Sequence, residues 1–88
     1  MICELDGKLM TTREDLHTHI AGQLSLPEWY GRNLDALYDA LSEMSDRTFV
    51  FRHVSCMLEN LGEYAWMTLR TFIDAASANP SLEVRISE

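Results

Sequence analysis

Basic residues are scarce in this chain of 88 residues. Seven Lys and Arg stand against 14 Asp and Glu, giving a formal net charge of −7, and only one of the seven, Lys8, is a lysine. Such a surface repels phosphate, so direct binding to nucleic acid is disfavoured, and attraction to an anionic membrane with it. A basic protein partner is permitted. No run of about 18 apolar residues occurs, so no membrane span is expected. The start, Met1 to Gly7, lacks the basic and apolar regions of an export signal. A cytoplasmic location is therefore expected. The only two cysteines, Cys3 and Cys56, have no framework spacing and are expected to be reduced thiols.

Sites of recognisable chemistry are equally sparse. His17 and His19 are two residues apart, which on a helix does not turn two ligands toward one metal. His53 is isolated. No Cys/His cluster has zinc spacing, and no Gly-rich phosphate loop or Ser/His/Asp context occurs. Neither a metal nor another cofactor is expected, and the chain reads as a non-enzyme. Cys56 lies in an apolar stretch and reads as a buried structural thiol. Trp66 and the phenylalanines read as core.

The hydrophobic fraction of 47% and charged fraction of 24% are those of a folded domain. One α/β domain over residues 1–88 is expected. Ile2 to Leu5 predicts a short strand ended by Asp6-Gly7. Thr12 is placed to cap a helix, with Asp15 three residues on and Leu16, Ile20 and Leu24 in one stripe. Leu26-Pro27 closes it. Residues 27–33 read as a loop, and Asn33 as the next N-cap. A second helix is predicted over 34–44, a strand over 48–52, helices over 54–61 and 63–78, and a final strand through Leu82, Val84 and Ile86. On the last helix Tyr64, Met67, Leu69, Phe72, Ile73 and Ala76 are expected to face inward. Strands separated by helices favour parallel pairing, hence a three-stranded parallel sheet packed by about four helices.

Residues 27–46 hold the unusual chemistry. At about 100° per residue, Asp35, Asp39 and Glu43 fall on one face of the second helix. Leu34, Leu37, Leu41 and Met44 fall nearly opposite, with Tyr38 on the flank. A solvated surface is the plain reading of such a stripe. Against it, acids four apart repel by about 0.2–0.5 kcal/mol a pair, and no base occurs from Asn33 to Asp46 to relieve them. Glu43 is also unfavourable at the negative end of the helix dipole. The stripe suits a cationic target. In the preceding loop, Trp29 and Tyr30 lie between Pro27 and Gly31, as aromatic anchors do in binding surfaces. At least one of the two rings is expected to pack on the core.

The run Leu26-Pro27-Glu28-Trp29-Tyr30-Gly31-Arg32-Asn33-Leu34-Asp35-Ala36-Leu37-Tyr38-Asp39-Ala40-Leu41 strongly resembles the barstar family, small intracellular inhibitors of secreted guanyl-specific ribonucleases. The resemblance extends over the whole chain and is weaker after residue 45. It implies a three-stranded parallel sheet packed by helices, and a surface at 27–46 that covers a ribonuclease active site. Asp39 would then enter the phosphate-binding pocket, and Asp35 would meet basic groups at its rim. Trp29 would lie against a catalytic histidine, and Tyr38 would add apolar contact. Gly31 and Asn33 would shape the loop, and Asp74 on the last helix would touch the rim. Glu43 and Met44 are counted with this partner-binding set. The chain departs from the best-known pattern at Tyr38 and Met44, which replace tryptophans, at Ala40, which replaces a cysteine, and at Arg32, which stands where an acid is found. These positions bear on the choice of target. The expected partner is a basic extracellular-type ribonuclease, bound by a monomer. The alternative is an acidic interaction module that binds another basic protein, such as a different toxin nuclease or an RNA-processing factor.

Overall fold

The strands Ile2–Asp6 (β1), Arg47–Arg52 (β2) and Leu82–Ile86 (β3) pair side by side in the order β1-β2-β3, all parallel, in a computed structural model that describes residues 1–88. Parallel neighbours require a long crossover, and helices supply both. Arg13–Leu24 (α1) and Leu34–Ser42 (α2) join β1 to β2; Val54–Leu61 (α3) and Glu63–Ala78 (α4) join β2 to β3. The fold class and the element order expected from the sequence are thus observed.

Period-two alternation sends Cys3, Leu5, Phe49, Phe51 and Leu82 into the core, while Glu4, Arg52, Glu83 and Arg85 stay exposed. Two exposed ion pairs, Arg52–Glu4 at 3.3 Å and Arg85–Glu83 at 2.8 Å, involve these outer residues. From α4, the Phe72 ring meets Phe49 and Phe51 edge-on at centroid distances of 5.1 and 4.9 Å. These three rings join the last helix to the central strand.

Local chemistry sets the helix ends. The Thr12 hydroxyl accepts the Asp15 N–H at 3.0 Å, and the Asn33 side-chain oxygen accepts the Ala36 N–H at 2.7 Å. Each satisfies an N–H that would otherwise lack a partner at the start of its helix. Ser25, in the left-handed region, ends α1 two residues before Pro27. A 3-10 turn at Gly7–Leu9 follows β1, and the Asp6 carboxylate accepts the Lys8 N–H there. A Cβ on Gly7 would lie 2.2 Å from the His53 carbonyl oxygen, so only glycine lets the two backbones approach. Gly62 separates α3 from α4 at φ 54°, ψ −125°, a conformation closed to residues with a Cβ.

Several expectations are corrected. Trp66 is 55% exposed rather than core, and Met67 and Ile73 are partly exposed rather than inward-facing. The buried face of α4 is Ala65, Thr68, Leu69, Phe72 and Ala75, a stripe that leaves Trp66 about one residue's turn off the core. Thr68 is tolerated because its hydroxyl donates to the Tyr64 carbonyl at 2.8 Å. Helix α2 ends at Ser42, with Glu43 as its cap, rather than at 44. Cys56 is half-buried, not buried. His53 is not isolated: its Nδ1 lies 2.9 Å from the Asp6 carboxylate. No helix is long and apolar enough to cross a membrane.

Candidate functional site

The loop from Ser25 to Asn33 turns two adjacent aromatic rings in opposite directions. The Tyr30 N–H donates to the Pro27 carbonyl at 3.0 Å, closing a turn. Tyr30 is 7% exposed and belongs to the core, whereas Trp29 is 86% exposed. The expectation that one of the pair packs inward is met by Tyr30.

Buried Tyr30 needs a partner for its hydroxyl, and His17 of α1 provides it. The His17 Nδ1 lies 2.8 Å from the Tyr30 hydroxyl, and its Nε2 lies 2.6 Å from the hydroxyl of Tyr64 on α4. The Arg13 guanidinium lies over the Tyr64 ring, 4.1 Å from its centroid. Burial lowers the pKa of His17, the Arg32 charge acting in the same direction. Burial chiefly pushes the Tyr30 pKa up to about 12 and raises that of Tyr64 as well. At neutral pH the trio is therefore uncharged. One imidazole N–H donates to one hydroxyl, and the other ring nitrogen accepts from the second. The loop is thereby tied to α1 and α4 at once.

The remaining loop residues set the entry into α2. A Cβ on Gly31 would lie 3.0 Å from the Ala36 Cβ, so the loop hugs the helix. The Asn33 amide donates to the Gly31 carbonyl at 3.3 Å while its oxygen caps α2. Arg32 has φ 55°, and its Nη2 donates to the Glu14 carbonyl at 3.0 Å and to the Thr18 hydroxyl at 2.5 Å.

Asp35, Asp39 and Glu43 are all exposed, as the helical spacing predicts. None of the three carboxylates takes part in an ion pair. They are free to meet an outside cation. Asp39 and Glu43 share a shallow hollow with Pro27, Trp29, Gly31 and Ala40. Asp35 and the partly exposed Tyr38 border a second hollow between α2 and α4, with Met67 and Asp74 opposite. Asp74 differs from the other acids in being paired with Arg70 one turn back, at 3.4 Å. Met44 is half-buried against the core, its carbonyl accepting the Asn79 amide at 2.8 Å. No group of three or more His, Cys, Asp or Glu lies close enough to hold a metal ion.

Sequence reasoning thus placed the acids and missed what surrounds them. Met67, expected in the core, lines the same hollow as Asp35. The His17 bridge joins residues 13 and 47 positions apart, and no local spacing announces it. The one available signal was the place of His17 beside Leu16 on the apolar flank of α1.

Comparison with known proteins adds two findings. The family described as "Barstar (barnase inhibitor)" matches residues 1–86. A protein of Bacillus subtilis (strain 168) named "Putative ribonuclease inhibitor YrdF" is 38% identical over 63 residues, covering 69% of this chain and 69% of that protein.

Proposed function

The chain belongs to the barstar family, and on that premise we propose that it inhibits a basic ribonuclease of the guanyl-specific type by covering the active site with the loop 27–33 and the acidic face of α2. The observation that carries this reading is the pair Asp35 and Asp39. Both are exposed, both lack an internal cation, and both stand on a helix whose start is fixed by the Asn33 cap. A ribonuclease must hold phosphate with positive groups. A carboxylate brought to that point replaces the phosphate and makes charge-assisted hydrogen bonds, bidentate where the cation is arginine.

Each element has a part in this scheme. Asp39 mimics the phosphate, and Asp35 meets cations at the rim. Trp29 supplies an exposed aromatic surface beside Asp39, and Tyr38 an amphipathic one beside Asp35. Glu43 and the overall negative charge draw a basic enzyme in, so association is fast and slows with salt. Nothing in this scheme asks the chain to perform chemistry.

The test is inhibition of a basic guanyl-specific ribonuclease by the purified chain, with association measured at low and high salt. Stoichiometric inhibition is expected, with an on-rate that falls steeply as salt rises. Failure to inhibit such an enzyme, together with tight binding to a basic protein of another kind, would replace this reading with the acidic-module alternative.

A further inference from the structure

A third hollow lies between α1 and the start of α2, and unlike the other two it brings together two arginines that have no internal ion pair. Arg13 and Arg32 both line it, with His17 and Tyr64 among its other walls and Asn33 and Asp35 on its α2 side. Such convergence of cations is unexpected in a chain of net charge −7. Arg52, Arg70 and Arg85 each pair with a carboxylate, but Arg13 and Arg32 pair with none. Glu14 and Asp35 also border the hollow, yet neither approaches either guanidinium within 4.0 Å.

Both arginines are held rather than loose. Arg13 is stacked on the Tyr64 ring, and Arg32 is fastened to α1 by the Glu14 carbonyl and the Thr18 hydroxyl. Arg32 also occupies the left-handed region at φ 55°, where Asn or Gly would sit without strain. The hollow is neutral at its His17–Tyr64 wall, since that pair is uncharged at neutral pH. A planar guanidinium with no carboxylate within ion-pair distance offers its free N–H donors to an incoming carboxylate.

Resting on the inhibitor reading above, we infer that this hollow receives an acidic side chain of the inhibited ribonuclease, gripped by Arg13 and Arg32 next to the cation that Asp35 meets. Asp35 belongs to this hollow and to the α2–α4 hollow alike, so the two subsites are continuous. The inhibitor then presents two unpaired guanidinium groups beside a negative stripe. An enzyme with a carboxylate beside its basic groove matches both signs. One with a cation there is repelled, so the two arginines select among ribonucleases and fix the docking orientation.

The sign of one substitution tests this. Arg32→Glu makes the inhibitor more acidic, so electrostatic attraction to a basic enzyme alone predicts equal or tighter binding. An occupied hollow predicts the reverse: an on-rate held or raised, and an off-rate raised about tenfold or more. Arg13→Gln should raise the off-rate about fivefold. Thermal unfolding of both variants confirms that the fold is kept. Replacing acidic residues of the enzyme one at a time by lysine should reveal a single change that restores affinity to Arg32→Glu. Binding of Arg32→Glu as tight as that of the unmodified chain overturns the inference, as does the absence of any restoring lysine. Asp39→Ala separates the two readings: if it binds weakly while Arg32→Glu binds normally, the inhibitor surface stands and this subsite falls.

Discussion

The Nδ1 of His17 and the hydroxyl of Tyr30 lie 2.8 Å apart inside the protein, the one on α1 and the other in the loop that presents Trp29. His17 is 2% exposed. A hydrogen bond in that setting is costly to break on one side only, because the abandoned nitrogen finds no water.

Tyr30→Phe should therefore lower stability by about 1–3 kcal/mol, read as a shift of the urea midpoint at constant slope. The ring volume is nearly unchanged, so the loss reports the hydroxyl. His17→Phe, which removes the nitrogens and strands the buried Tyr30 hydroxyl, should be at least as damaging.

Stability should decline on acidification through the ordinary histidine range. His17 has its pKa lowered by burial and then by Arg32, and His19 has its own lowered by burial. Below 6.5 the unfolded chain takes up protons that the folded one refuses, so falling pH favours unfolding until the lowered folded values are passed. Asp6 and Glu88, whose pKa values are lowered chiefly by backbone N–H groups, extend the loss into more acidic solution as they too protonate. Chemical denaturation at pH 7.5, 6.0 and 4.5 checks the order; a flat profile between the first two would contradict the imidazole assignment.

Asp39→Ala should weaken ribonuclease inhibition by about 2 kcal/mol or more, roughly thirtyfold in Kd, with little change in Tm. Asp74→Ala should cost less than about 1 kcal/mol, because this exposed carboxylate already has Arg70 as a partner. Equilibrium titrations of the two variants against the same enzyme give the comparison directly.

Gly7→Ala should be the most damaging single methyl group in the chain. The new Cβ would sit 2.2 Å from a backbone oxygen, and neither strand end nor His53 can retreat without breaking the β1–β2 pairing. A loss of about 2–3 kcal/mol is expected, or a Tm lower by roughly 8–20 °C on calorimetry.

Much of the fold was legible because local signals agreed with one another. The Thr12 and Asn33 caps, the Leu16-Ile20-Leu24 stripe and the alternation from Leu82 to Ile86 each specify an element with no help from elsewhere. What stayed hidden is what depends on distant neighbours. Trp66 looks like core by composition, yet the face of α4 that meets Phe49 and Phe51 passes through Phe72 and leaves Trp66 outside. The order of the three strands has no periodic signature. The exposed acids of α2 and the Arg70–Asp74 pair, four residues apart on α4, follow from 3.6-residue geometry, whereas the meeting of Arg13 and Arg32 depends on how α1 and the 27–33 loop lie in space, which spacing alone does not fix.

Trp29 and Tyr30 are consecutive, one facing solvent and the other fastened to a buried imidazole. Surface display and internal anchoring thereby fall to different side chains in the shortest possible stretch of chain. Trp29 can be varied in a library, by evolution or by an engineer, while the Tyr30–His17 tether beside it stays in place. Such a scaffold lends itself to retargeting, since a new antagonist can be selected against a new nuclease without refolding the old framework.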